Sequence, residues 1–143
     1  MQFSIIVPTF NNYKYLKTSI NSIIKNSTYS HQIIVHINGR DEETENFCKS
    51  QNIEYTITDD NVGLCTGVNI AAKQSKNELI VYAHDDMYFC PKWDYFLICE
   101  IKLISHKNFY LSSTQISPTK ALPGSKMNHI YFDCGNSLEN FDE

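Results

Sequence analysis

Two adjacent aspartates, Asp85 and Asp86, directly follow the most apolar run of the sequence, Glu78 to Ala83. Such a run is typical of a buried strand, and a carboxylate at the rim of a buried strand has the fixed backbone that metal ligation requires. Oxygen ligands of this kind suit a hard divalent cation. The alternative is that the two aspartates only end the strand and cap a helix in the region from Pro91 to Ser105. The spacing alone leaves both interpretations open.

Three further loops carry polar residues at the ends of apolar runs. The runs are Phe3 to Val7, Gln32 to Ile37 and Ile53 to Thr58, and the loops after them are Pro8-Thr9-Phe10-Asn11, Asn38-Gly39-Arg40-Asp41 and Asp59-Asp60-Asn61. Ligands of an open α/β sheet bind outside the carboxyl ends of its strands. With the loop at Asp85 and Asp86 there are four strand-end loops, and three of them bear carboxylates. A phosphorylated ligand would therefore need Mg²⁺ or Mn²⁺ between its phosphates and the protein. The aspartates of the third loop also have a plain interpretation as turn residues.

Helical patterns separate the apolar runs. After the Asn11-Asn12 turn, apolar residues recur at helical spacing, and Glu42 to Ser50 and Leu64 to Ser75 predict two more helices. The apolar residues of the first helix are Tyr15, Leu16, Ile20, Ile23 and Ile24, and we expect the aromatic rings of Tyr13, Tyr15 and Phe47 to pack in the core. Because strand and helix alternate four times, the sequence predicts an α/β fold with a mostly parallel sheet and helices on both faces.

The pattern weakens beyond Pro91. Trp93 to Ser105 is interpreted as a helix, Phe109 to Ser112 as a strand, and the polar segment from Ser117 to Asn128 as a loop. We therefore divide the chain into an α/β ligand-binding region, residues 1–110, and a partly irregular region, residues 111–143.

Composition excludes several classes of protein. A chain of 143 residues that is 42% apolar can bury the core of one domain. The net charge of −4, with Arg40 as the only arginine, argues against nucleic-acid binding. Five cysteines without metal or disulfide spacing are typical of free thiols in a reducing cytoplasm. No apolar run approaches the roughly 20 residues that span a bilayer, so we expect no transmembrane segment.

At these residues the sequence resembles the family 2 glycosyltransferases, which are inverting enzymes with the Rossmann-like GT-A fold. The resemblance covers roughly residues 3 to 95 and rests on the stretches SIIVPTFNN, NVGLCTGVN and ELIVYAHDDM. Each motif alone is weakly specific, but their order after successive strands makes the combination fairly specific. The resemblance favours a functional role for Asp85 and Asp86 over a purely structural one.

The resemblance implies a binding site for a nucleotide-sugar donor, most simply a UDP-sugar. Pro8, Thr9 and Phe10 would line the base pocket, with the Phe10 ring on the face of uracil. Asn38 lies beside the position of the family's base-reading aspartate, which is Ile37 here. The implied donor-binding residues are Pro8, Thr9, Phe10, Asn38, Asp60, Gly63 and Asp85. Asn61, Gly63, Gly67 and Asn69 resemble the family's stretch of small residues along which the diphosphate-sugar approaches.

The same resemblance implies the reaction. Asp85 would meet the ribose and Asp86 would hold Mn²⁺ or Mg²⁺, with His84 where many members have another aspartate. A carboxylate would take the proton of an acceptor hydroxyl, from a glycan or another acceptor, and the sugar would be transferred with inversion. Asp142 or Glu143 is the candidate base, and robust sugar transfer by the chain would add Asp133 and Glu139 to the candidates.

Because the sequence is shorter than the family's usual catalytic domain, we expect the second half of the GT-A domain to be incomplete in it. We therefore expect the chain by itself to bind donor and to transfer sugar poorly or not at all. The alternative function is a non-catalytic or truncated nucleotide-sugar-binding module.

Overall fold

The structure, a computed structural model, describes residues 1–119 and 129–142. Within these residues it contains two compact units, Met1–Leu103 and Ile104–Glu143. The elements of the first unit are β1 (Phe3–Thr9), α1 (Tyr13–Asn26), β2 (Gln32–Asn38), α2 (Glu42–Ser50), β3 (Glu54–Thr58), α3 (Leu64–Ala72), β4 (Leu79–Tyr82) and α4 (Trp93–Leu103). Those of the second unit are β5 (Gln115–Ser117) and β6 (His129–Tyr131). The functional division of the chain at residue 110 stays a prediction.

The first unit contains a parallel sheet in the order β3-β2-β1-β4. Strand β1 pairs with β2 from Ser4 opposite Gln32, and with β4 from Phe3 opposite Leu79. All seven residues of β1 are buried, as expected for a central strand covered on both faces. The predicted α/β fold and the four predicted strands are confirmed.

Side chains of β1 alternate between two layers of core. Phe3, Ile5 and Val7 belong to the larger cluster, and Ile6 belongs to the smaller cluster with Ala71 of α3. Helices α1, α2 and α4 also contribute to the larger cluster, with Leu16, Ile20, Ile23, Phe47, Cys48 and Ile98. Helices therefore cover both faces of the sheet. On α1, Tyr15 is exposed, so its predicted core position is wrong, and Ile24 is exposed as well.

Helix α3 approaches the sheet closely at Gly67. A Cβ atom at this position would lie 2.8 Å from Nε2 of His36, a fully buried residue of β2. The other ring nitrogen of His36, Nδ1, lies 2.8 Å from the Thr56 hydroxyl. Burial lowers the pKa of His36 and so favours its neutral form. The absence of a side chain at Gly67 thus permits the close packing of α3 against His36, and the predicted approach of a diphosphate along this stretch stays a prediction.

A buried carboxylate joins the start of α4 to the segment before β2. The Asp94 carboxylate is fully buried and accepts hydrogen bonds from the backbone amides of Thr28 (2.8 Å), Tyr29 (2.8 Å) and Tyr95 (2.8 Å). His31 adds a contact of 3.1 Å through Nε2, while its Nδ1 accepts from the Phe3 amide at 3.2 Å. Because Nδ1 is an acceptor, neutral His31 carries its proton on Nε2 and donates it to Asp94.

The second unit departs from the sequence-based expectation. Residues 109–112 form no strand, and the strand after α4 is β5, which pairs in parallel with β6 over three residues. The predicted strand from Phe109 to Ser112 is therefore wrong. The loop predicted between Ser117 and Asn128 lies partly outside the described residues. Over the part of the chain that the structure describes, no helix is long and apolar enough to cross a membrane.

The Asp94 network predicts a specific loss of stability at low pH. Burial by itself would raise the pKa of Asp94, but the hydrogen bonds from Thr28, Tyr29, His31 and Tyr95 lower that pKa below its ordinary value. The stabilisation is therefore complete above the unfolded-state pKa of about 3.9 and is lost as the pH falls through the lower folded-state pKa. We expect Asp94→Asn to lower the free energy of unfolding at pH 7 by about 2–4 kcal/mol and to flatten its acid dependence.

Urea unfolding of both proteins between pH 2 and 7 measures this effect. Asp59→Asn is the control, because Asp59 pairs with Arg40 at 2.6 Å while 78% of its side chain is exposed. Such a pair contributes less than about 1 kcal/mol. Equal losses in the two variants would contradict the assignment.

Candidate functional site

A cavity of about 440 Å³ lies at the carboxyl end of the sheet in the first unit. Its lining combines the loops that follow β1, β2, β3 and β4, as expected where the strands of an open parallel sheet end. The lining residues are Pro8, Thr9, Phe10, Asn11, Asn12, Asn38, Asn61, Gly63, Leu64, His84 and Asp85. Six residues predicted from the sequence, Pro8, Thr9, Phe10, Asn38, Gly63 and Asp85, therefore share one cavity. Asp60 is exposed and is not part of the lining.

Thr9 and Asp85 connect the ends of β1 and β4 inside this cavity. The Thr9 hydroxyl donates a hydrogen bond of 2.6 Å to Oδ2 of Asp85. Thr9 is buried at the end of β1, so its side chain holds one carboxylate oxygen in a fixed place. A charge-assisted bond of this length is strong compared with a bond between neutral groups. The Asp85 carboxylate is thereby oriented for a ligand.

Asn38 and Asn61 connect the ends of β2 and β3 on the other side of the cavity. The Asn38 amide donates from Nδ2 to Oδ1 of Asn61 at 2.9 Å, and Oδ1 of Asn38 accepts from the backbone amide of Val62 at 2.8 Å. Oδ1 of Asn61 also accepts from the backbone amide of Gly63 at 2.9 Å. Buried Asn38 is thus bonded to the protein through both ends of its amide.

Phe10 presents an aromatic face at the cavity. Phe10 has a relative exposure of 50%, although it follows the fully buried strand β1. Gly39 lies against this ring, since a Cβ atom there would be 3.4 Å from Cε2 of Phe10. An exposed ring beside a glycine is well suited to stack on a flat ligand.

The predicted metal ligand Asp86 is exposed beside the cavity-lining residues His84 and Asp85. Nε2 of His84 lies 3.0 Å from the Tyr82 hydroxyl. Among the described residues, no three histidine, cysteine or acidic side chains gather into one metal-binding group. One or two carboxylates fit a cation such as Mg²⁺, which keeps water and phosphate oxygens among its ligands. Asp85 and Asp86 are therefore the residues that would hold a divalent cation here.

Charge at the cavity supports the same conclusion. Asp85 is the one carboxylate in the lining, and none of the described lining residues is lysine or arginine. The single arginine of the sequence, Arg40, is paired with Asp59 at the surface. An anionic ligand bound here would need either a cation or backbone amides to offset its charge.

The predicted catalytic base Asp142 lies in the second unit and is exposed. Its backbone amide donates to the carbonyl oxygen of Cys134 at 3.1 Å. In the same unit Asp133 accepts from the Gly135 amide at 3.4 Å, and Glu139 is exposed. Glu143 lies outside the described residues. The assignment of a base stays a prediction.

The chain belongs to glycosyltransferase family 2. The sequence profile described as Glycosyl transferase family 2 matches residues 4–131, which is most of the chain. This match confirms the relationship indicated by the motifs after β1, β3 and β4. No curated protein sequence matches the chain significantly.

Solved structures confirm the GT-A fold. The crystal structure of S. aureus TarS has a TM-score of 0.72 and 22% identity, and the match covers 87% of this chain and 24% of the TarS chain. TarS 1-349 in complex with UDP has the same score and identity, with 87% of this chain and 39% of that chain covered. The mannosyltransferase PcManGT from Pyrobaculum calidifontis, in complex with GDP-Man and Mn2+, matches with a TM-score of 0.54 and 17% identity over 66% of this chain and 30% of that chain. This chain therefore spans well under half the length of the structures it matches.

Three lining residues, Asn11, Asn12 and Leu64, have no donor-binding role in the sequence-based prediction. Two others, Asn61 and His84, were named there in the family's motifs, and both line the cavity. One signal was present in the sequence: Asn12 precedes a helix, where asparagine is a preferred N-cap residue. In the structure, however, the Asn12 side chain makes no capping hydrogen bond, and the preceding Asn11 has a positive φ of 51°. Such unusual local geometry is frequent at functional sites.

Two glycine substitutions separate backbone strain from displacement of the Phe10 ring. Gly39 has φ of 106° and Gly63 has φ of 81°, so alanine at either position should lower the free energy of unfolding by about 1–3 kcal/mol. The methyl group of Gly39→Ala would also contact Phe10, whereas that of Gly63→Ala meets no atom within 4 Å.

Chemical denaturation measures the strain, and ¹⁹F resonance of fluorinated phenylalanine reports the ring. We expect Gly39→Ala to shift the Phe10 resonance and Gly63→Ala to leave it near its wild-type position. An unshifted resonance in Gly39→Ala would show that Phe10 is not held against Gly39.

Proposed function

We propose that the chain binds a nucleotide-diphosphate sugar, in the first instance a UDP-sugar, in the cavity at the carboxyl end of its sheet. The observation that carries the proposal is the convergence of Phe10, Thr9 and Asp85 on one cavity in a chain of glycosyltransferase family 2. The complexes of TarS with UDP and with UDP-GlcNAc support the choice of donor. GDP-Man, the ligand of PcManGT, is the competing donor.

Each residue has a chemical role in this proposal. The exposed face of Phe10 stacks on the nucleotide base. Thr9 holds the Asp85 carboxylate in place, and this carboxylate accepts a hydrogen bond from a ribose hydroxyl. Asp86 would hold a divalent cation, which when bound would offset the negative charge of the leaving diphosphate. Mn²⁺ is present in the PcManGT complex.

The proposed reaction is transfer of the sugar to an acceptor hydroxyl, of a glycan or another molecule, with inversion at the anomeric carbon. A single displacement needs a carboxylate within hydrogen-bond reach of the acceptor hydroxyl, and Asp142 is our candidate. The five cysteines are all free, which supports the further proposal of a cytoplasmic location.

Donor binding and catalysis are tested separately. Isothermal titration of the purified chain with UDP, UDP-GlcNAc and GDP-mannose, with and without Mn²⁺, tests binding, and product assays with a panel of acceptors test transfer. We expect binding of a UDP-sugar that is strengthened by Mn²⁺. Absence of binding by every nucleotide sugar would reject the proposed function, whereas binding without product under all conditions would favour a nucleotide-sugar-binding module.

Phe10 provides a test of base stacking. Because this residue is half exposed, Phe10→Ala should cost little stability while weakening UDP binding by roughly 1–3 kcal/mol. Phe96→Ala is the control, since Phe96 is 61% exposed on α4 and does not line the cavity. Equal affinity of Phe10→Ala and wild type in titration calorimetry would remove the ring from the donor site.

Asp86 provides a test of the metal. We expect Asp86→Ala to abolish the Mn²⁺-dependent part of donor binding while the melting temperature without ligand stays near that of wild type. Glu78→Ala is the control because Glu78 is exposed before the start of β4, so it removes the same charge at the opposite end of the same strand. Unchanged Mn²⁺ dependence in Asp86→Ala would contradict the metal assignment.

A further inference from the structure

The amide groups of Asn38 and Asn61 form a defined chain of hydrogen bonds across the ends of β2 and β3. The orientation of both amides follows from their backbone partners. A backbone N–H is always a donor, so the Asn38 atom facing the Val62 amide at 2.8 Å and the Asn61 atom facing the Gly63 amide at 2.9 Å must be oxygens. Nδ2 of Asn38 is then the atom that faces Oδ1 of Asn61 at 2.9 Å.

The two ends of this chain differ in burial. Asn38 has a relative exposure of only 6%, whereas Asn61 and Gly63 are exposed and Val62 is 38% exposed. A short polar segment between a strand and a helix normally has high mobility. Here two of its backbone amides are bonded to side-chain oxygens, and the order of the segment depends on a residue anchored in the sheet.

The segment forms one wall of the donor cavity. Asn61, Gly63 and Leu64 line it, and Gly63 is also the N-cap of α3. Gly39, next to Asn38, lies close to both the Phe10 ring and the Asn61 backbone amide. A Cβ atom added to Gly39 would be 3.4 Å from the ring and 3.9 Å from the amide nitrogen. The position of the segment therefore affects the space opposite the ring.

We propose that Asn38 is a positioning residue that holds the segment from Asn61 to Gly63 in its ligand-binding conformation. This inference rests on the proposed function, since the ligand is the nucleotide-sugar donor of the same cavity. Asn38 then contributes to affinity through its bonds to Asn61 and Val62, because a donor binds only the fraction of molecules whose cavity wall is formed.

Two substitutions at Asn38 give different signatures in amide hydrogen exchange. Asn38→Ala removes both bonds, so the Val62 and Gly63 amides should both exchange at least about tenfold faster. Asn38→Asp keeps an oxygen acceptor for the Val62 amide, but its second oxygen then faces Oδ1 of Asn61. We expect the repulsion between these oxygens to turn the Asn61 amide over, so that the Gly63 amide loses its acceptor. We expect Asn38→Asp to accelerate exchange at Gly63 and to leave Val62 protected.

The functional measurement is the dissociation constant of the UDP-sugar by isothermal titration, with the melting temperature measured beside it. We expect Asn38→Ala to weaken donor binding about tenfold, in proportion to the loss of the ordered segment, while exchange in β1 stays slow. Arg40→Gln is the control, since Arg40 joins the same two strand ends through Asp59 but 77% of its side chain is exposed.

The outcomes separate this inference from the proposed function. Faster exchange at Val62 and Gly63 together with weaker donor binding in Asn38→Ala, but not in Arg40→Gln, supports it. Retained protection in Asn38→Ala, or lost protection with unchanged donor affinity, overturns it while the proposed function stands. If the wild-type chain binds no nucleotide sugar, the proposed function fails and the positioning role fails with it.

Discussion

Strand β1 has no solvent-exposed residue, and the placement of the other elements follows from the need to cover it on both faces and along both edges. Its edges are satisfied by β2 and β4, and its two faces by the clusters around α1 and α3. A buried strand can leave the core only at its ends. The residues that follow Thr9 are therefore the first after the central strand to meet solvent. They lie between the loops that follow β2 and β4.

Electrostatics sets a second constraint at that end of the sheet. The described cavity lining holds a carboxylate and several amides but no lysine or arginine. A carboxylate whose oxygen is already bonded to Thr9 remains a good ligand for hydroxyl groups, and it repels phosphate oxygens in the absence of a cation. For the proposed nucleotide sugar, the neutral part could contact such a lining directly, whereas the charged part would need additional positive charge.

Much of this arrangement could be predicted from the sequence, because runs such as Phe3 to Val7 have the length and composition of buried strands and polar residues follow them directly. What could not be predicted depends on contacts between distant residues. Tyr15 and Ile24 fit the helical period of α1 but lie at the margin of its buried stripe, which the period does not define. The role of Gly67 depends on His36 in a different element, and that of Asn61 on Asn38. Strands β5 and β6 have three residues each, too few for a periodic pattern.

The Asp94 network has a consequence for how freely the binding residues could be exchanged. It lies at the amino ends of β1 and β2, roughly 20 Å along the strands from the cavity at their carboxyl ends. Free-energy changes at sites so far apart are usually additive. Substitutions that alter ligand preference around Phe10 or Asn38 therefore leave the anchoring of α4 intact, and the margin of stability that it provides remains available to offset their cost. Such a separation makes the scaffold tolerant of changes in specificity.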